Sequence, residues 1–75
     1  MNNQRRKKIA KLIERLEDII SELEELKEEE QESFDNLPES IQESERGESM
    51  ETAIQELEEA LDNTQNAVDN LQNIE

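Results

Sequence analysis

Ile9-Ala10-Lys11-Leu12-Ile13-Glu14-Arg15-Leu16-Glu17-Asp18-Ile19-Ile20-Ser21-Glu22-Leu23-Glu24-Glu25-Leu26 decides how the chain folds. Ile9, Leu16 and Leu23 share one heptad position, Leu12, Ile19 and Leu26 a second, and Ile13 and Ile20 stand beside them. This is the spacing of an amphipathic helix. The apolar stripe is three positions wide, more than one neighbouring helix can cover. It therefore asks for one helix from the rest of the chain and for others from a second molecule.

The pattern returns between Met50 and Ile74. Met50, Leu57, Thr64 and Leu71 fall at one seam position, Ala53, Ala60, Ala67 and Ile74 at the second, and Ile54, Leu61 and Val68 beside them. An Ala every seventh residue lets a neighbouring helix approach closely, which suits antiparallel packing on the Leu- and Ile-rich first helix. Residues 60–66 and 67–73 are near copies that differ at two of seven places, a duplicated heptad with no chemistry in it. Thr64 is a mild polar interruption of the seam that can fix register.

Between the two runs the heptad breaks. Asp35-Asn36-Leu37-Pro38 reads as a turn and a helix start, because Pro suits a first helical position and biases Leu37 away from helical backbone. Phe34, Leu37 and Ile41 are expected to plug the loop end of the hairpin. Gly47 has two readings: it ends a short helix begun at Pro38, or it sits inside one long helix at a cost of about 1 kcal/mol. The expectation is one all-α domain, an antiparallel coiled-coil-like helical hairpin with helix one over about 4–33, a connector over 34–48 and helix two over about 49–74, or from 38. Met1 to Gln4 reads as a frayed lead-in. The hairpin is expected to dimerise into a four-helix bundle. Its oligomer core would be Ile9, Leu12, Ile13, Leu16, Ile19, Ile20, Leu23 and Leu26 of the first helix with Ile54, Leu57, Leu61, Val68 and Leu71 of the second.

Composition points the same way. A chain of 75 residues rarely draws more than roughly 3–5 kcal/mol from its own core. Having neither Cys nor His, it lacks disulfides and zinc, which leaves association as its route to stability. The first fifteen residues carry Arg5, Arg6, Lys7, Lys8, Lys11 and Arg15 against Glu14, a sum of +5; the remainder holds two basic and twenty-one acidic residues, or -19, for a net charge of -14. Two readings of the basic end compete: a contact with nucleic acid or an anionic membrane, or internal pairing with Asp62, Asp69 and Glu75 in an antiparallel hairpin. The acidic body favours the second, since it repels phosphate, and no nucleic acid or membrane partner is expected. Lys11, Glu14 and Arg15 break the first apolar run, so it is neither a signal-peptide core nor a membrane span, and the location expected is cytoplasmic.

The carboxylates carry the candidate function. Nine acids between Glu17 and Glu32, opposed only by Lys27, cover roughly 24 Å of helix, a net charge every ~3 Å against a phosphate every ~3.4 Å on one DNA strand. Glu17, Asp18, Glu24, Glu25, Glu28, Glu29 and Glu32 are the candidate partner-binding residues, with DNA mimicry one reading and a solubilising charged face the other. No catalytic residue, metal ligand or cofactor site is assigned. One Gly permits no phosphate loop, no Ser lies in a nucleophile motif, and the Asp-Asn pairs lack the spacing of a calcium loop. The chain is read as non-enzymatic.

The run Phe34-Asp35-Asn36-Leu37-Pro38-Glu39-Ser40-Ile41-Gln42-Glu43-Ser44-Glu45-Arg46-Gly47-Glu48, set between a basic-led acidic helix and a second acidic helix, resembles a group of short acidic helical proteins of bacteriophages and prophages of Gram-positive bacteria. The distinctive pieces are Leu37-Pro38-Glu39-Ser40 and Glu45-Arg46-Gly47-Glu48. The resemblance implies a setting in a bacterial host cell, where small acidic proteins bind and block a host defence or nucleic-acid enzyme; it assigns no residue a role. The expected partners are a second copy and a host protein with a basic surface. The alternatives are a structural oligomerisation or scaffold module whose acidic face has no partner, and a nucleic-acid or membrane contact through the basic start.

Overall fold

The computed structural model describes residues 1–74. Helix α1 spans Asn3–Asp35, α2 is a short turn of helix over Glu39–Gln42, and α3 spans Glu45–Gln72. Among the described residues all regular structure is helical. α1 and α3 pack along their lengths, and the body measures 58 × 14 × 12 Å between Cα extremes. Its radius of gyration, 17.2 Å, compares with about 11 Å for a compact 75-residue domain. It is a two-helix rod with one shared seam.

Neither Gly nor Pro interrupts α1, and its start is capped rather than frayed. The Asn2 side-chain oxygen accepts the Arg5 N–H at 2.8 Å, satisfying one of the free donors of the first turn. At the other end the Asn36 N–H bonds the Glu32 carbonyl at 3.0 Å, and Pro38 prevents further helix. α2 follows directly. Ile41 and Gln42 donate to the Pro38 carbonyl at 2.9 and 3.0 Å, and the Ser44 N–H returns to the Ile41 carbonyl at 3.0 Å.

The seam lies one position away from the expected one. On α1 the half-buried residues are Ile9, Leu16, Leu23 and Glu30 at one heptad position and Ile13, Ile20, Lys27 and Phe34 at the other. Leu12, Ile19 and Leu26 lie outside it, 43%, 43% and 52% exposed. On α3, Ile54 and Val68 are buried and Leu61 half-buried, with Met50, Leu57, Thr64 and Leu71 beside them. Ala53, Ala60 and Ala67 flank this seam instead of filling it. Burial of apolar area explains the choice: the observed seam takes in Ile54, Leu61, Val68 and Phe34, where the alternative would take in three Ala and Ser33. Its cost is Lys27 at a seam position, whereas Glu30 continues the Ile9, Leu16 and Leu23 column that both registers share. Lys27 keeps its ammonium near the surface, 3.2 Å from the Glu58 carboxylate.

Gly47 fits neither of its two expected roles. The short helix ends at Gln42, and the buried Gly47 beyond it lies in the first turn of α3. Thr64 does not reach across the seam; its hydroxyl donates to Ala60 of its own helix at 2.7 Å.

Candidate interaction surfaces

Three surfaces follow from the seam. Taking Ile13, Ile20, Lys27 and Phe34 as positions a and Ile9, Leu16, Leu23 and Glu30 as positions d, Leu12, Ile19 and Leu26 fall at g; on α3, with Ile54 and Leu57 as a and d, Ala53, Ala60 and Ala67 fall at g, while Ile74, expected in that column, lies past the end of the helix. In an antiparallel pair g lies on the side of g and e on the side of e. The e side is polar: Gln31 of α1 and Glu51 and Glu58 of α3 border one cleft there with Phe34 and Ile54. The g side is aliphatic. It carries the exposed Leu12, Ile19 and Leu26 beside the small Ala residues.

The acidic surface is broader than a row. Glu17, Asp18, Glu24, Glu25, Glu28, Glu29 and Glu32 are all exposed, but they are spread around the outer half of α1. Glu24, Glu28 and Glu32 line one open depression on the e side with Lys27, Gln31 and Asp35. Asp18 and Glu25 point away from α3, and Glu22 and Glu29 border the aliphatic g stripe. Along the Glu24, Glu28 and Glu32 row a carboxylate recurs about every 6 Å and along the other two about every 10 Å, at most half the linear density of phosphates on a DNA strand. The expected match in density holds only when acids are counted around the whole helix. Among the described residues the one ion pair is Lys27 with Glu58, so these carboxylates stand uncompensated within the hairpin.

The basic end is also unpaired among the described residues. Arg5, Arg6, Lys7, Lys8, Lys11 and Arg15 are exposed, and none forms an ion pair with Asp62 or Asp69; Glu75, the third expected partner, lies outside the described residues. Arg6 spends its Nε–H on the Met1 carbonyl at 3.1 Å. The resulting gradient opposes the helix dipole: α1 has no acid in its first turn and no base in its last. A helix left to itself is favoured by the reverse arrangement.

Sequence reasoning missed Lys27 and Glu30 as seam residues. Extending the seven-residue count from Ile13 and Ile20 to Phe34 passes through position 27 and would have found the first. Among the described residues no group of three or more metal-ligating side chains is placed to hold an ion, and no helix is long and apolar enough to cross a membrane. Comparison with protein-family models, curated proteins and solved structures returned no match to this chain.

Proposed function

We propose that the chain is a non-enzymatic interaction protein of the phage type that works in a bacterial cytoplasm as a dimer of hairpins and uses the carboxylates of α1 to occupy a basic site on a host protein. One observation carries this: the seven exposed acids of α1 form no ion pair among the described residues, where the single pair joins Lys27 of the same helix to Glu58 of α3. Uncompensated charge of one sign costs a fold stability through self-repulsion, and it is recovered where a surface of opposite sign docks. The support is electrostatic and not a copy of strand geometry, since each row of acids is too sparse for that. DNA mimicry is therefore the narrower form of the proposal.

The exposed Leu12, Ile19 and Leu26 favour a second reading, a structural module whose acids serve solubility. Affinity capture from bacterial lysate with a salt-graded elution separates the two when wild type is compared with a Glu24→Lys, Glu25→Lys, Glu28→Lys, Glu32→Lys chain. The inhibitor proposal expects a basic protein retained by wild type, released as salt rises and absent from the reversed chain. Recovery of the protein alone, or equal recovery of a partner by both chains, would favour the module.

A further inference from the structure

We infer that the g stripe is a seam for a second copy of this chain, in which the two α1 helices lie antiparallel about a two-fold axis at Ile19; this rests on the dimer part of the proposed function and fixes its orientation, register and residues. The stripe is symmetric about that point. Leu12 and Leu26 are each seven residues from Ile19, so the axis sets Leu12 of one copy against Leu26 of the other, with the Ala flank of α3 giving room for close approach.

Charge selects the orientation. Lys8, Arg15, Glu22 and Glu29 recur at seven-residue spacing immediately outside the stripe, all exposed. Reversal about Ile19 brings Lys8 beside Glu29 of the second copy and Arg15 beside its Glu22, and the same two pairs form again across the axis. In a parallel alignment the two columns would lie on opposite sides of the seam, so none of the four pairs would form. A third arrangement, α1 on α3 of the second copy, would put both acidic connector ends together and face Lys8 and Arg15 with a column of Ser49, Glu56, Asn63 and Asn70. The antiparallel pairing also gives a reason for the charge gradient of α1. Its basic start and acidic end run against its own dipole, and each meets its opposite on the antiparallel copy.

Area is consistent with an interface of ordinary size. The single chain exposes 5904 Å², where a compact monomer of 8.8 kDa would expose about 4,800 Å². The excess of about 1,100 Å² exceeds the ~800 Å² that each partner buries in a standard interface. Two rods laid side by side remove area that one rod cannot.

The test is sedimentation equilibrium of the full chain and three variants, with helicity followed by circular dichroism. Wild type is expected at twice 8.8 kDa. Ile19→Glu, which leaves the hairpin seam intact, should be monomeric and still helical. Lys8→Glu with Arg15→Glu should raise the dimer Kd by about ten-fold or more, because four attractions become repulsions. Adding Glu22→Lys and Glu29→Lys to that chain should return the Kd to near the wild-type value, since an antiparallel dimer again pairs opposite signs. Orientation is read directly with a short bismaleimide in this Cys-free chain: Lys8→Cys and Glu29→Cys chains should cross-link when mixed and not when alone. A monomeric wild type, an unrestored quadruple variant, or self-linking of either single-Cys chain would overturn the inference. Glu24, Glu25, Glu28 and Glu32 lie outside this seam, so failure here leaves the acidic-face experiment readable on its own.

Discussion

Gly47 lies so close under the backbone of Gln42 that a methyl group on it would run into the Gln42 carbonyl and stand 2.7 Å from its Cα. Two chain segments five residues apart thus pack backbone on backbone, and this crossing turns α2 into α3. Gly47→Ala should destabilise the hairpin by ~1–3 kcal/mol through overpacking, despite the ~1 kcal/mol that Ala adds as a helix former. Urea unfolding at 222 nm reads the difference. A midpoint at or above wild type would mean that the connector has room to move aside.

Gln42 has a second task, which a carboxylate side chain cannot take over. Its side-chain amide donates to the Phe34 carbonyl at 3.0 Å and to the Leu37 carbonyl at 3.2 Å, tying the end of α1 and the connector to the last residue of α2. A carboxylate in that place has no proton to give and faces two oxygens, so Gln42→Glu should cost ~1–3 kcal/mol at neutral pH. Protonation restores a donor and is favoured in the folded state, which raises the folded pKa of the introduced carboxyl above its unfolded value of about 4.3. The folded state then binds more protons than the unfolded state between those two values, so the deficit relative to wild type grows as pH rises through them and vanishes below both. Unfolding of the two chains at pH 3.5 and 7 checks the sign. A deficit independent of pH would point to shape and not to the missing proton.

The helices and their antiparallel pairing were legible in the sequence because periodicity reports a buried stripe directly. Which two of the three apolar columns would face α3 was not. That choice depends on what each register buries at distant positions, and Phe34 together with Ile54, Leu61 and Val68 outweighs Lys27. The connector was half legible. Leu37-Pro38 marked the turn, but the place of Gly47 under Gln42 is a tertiary crossing with no local signature. The exposed acids were legible one by one, while their spread around α1 awaited the position of α3.

Glu30 sits half-buried at a seam position between Leu23 and Phe34. Replacing it with Leu continues the aliphatic seam and removes a carboxylate from a crowded acidic helix. Glu30→Leu should stabilise the hairpin by about 1 kcal/mol, within the range for burying an aliphatic side chain. Lys27→Leu should gain less, because it breaks the ion pair with Glu58 and deepens the net negative charge. Thermal melts in one buffer order the two variants, and a lower Tm for Glu30→Leu would show that Glu30 makes a compensating contact at the seam edge.

Arg5 offers a substitution whose effects on monomer and dimer carry opposite signs. It occupies the first turn of α1, where a cation opposes the helix dipole, so Arg5→Glu should stabilise the isolated hairpin by ~0.3–1 kcal/mol. Its N–H still reaches the Asn2 oxygen, so the cap is kept. Arg5 also lies seven residues before Leu12, in the column that faces the second copy. The antiparallel register places it beside Ser33 of that copy, with Glu29 of the bordering column about 6 Å along the axis, so the same change should weaken the dimer several-fold. Unfolding in the monomeric Ile19→Glu background isolates the first effect, and the dimer Kd of the single variant measures the second. A stabilised monomer with a weakened dimer is what the proposed seam requires, because only an outside acidic neighbour makes a dipole-opposing cation useful at that place. If the dimer were unaffected while the monomer gained stability, Arg5 would lie outside the interface and the register about Ile19 would be wrong.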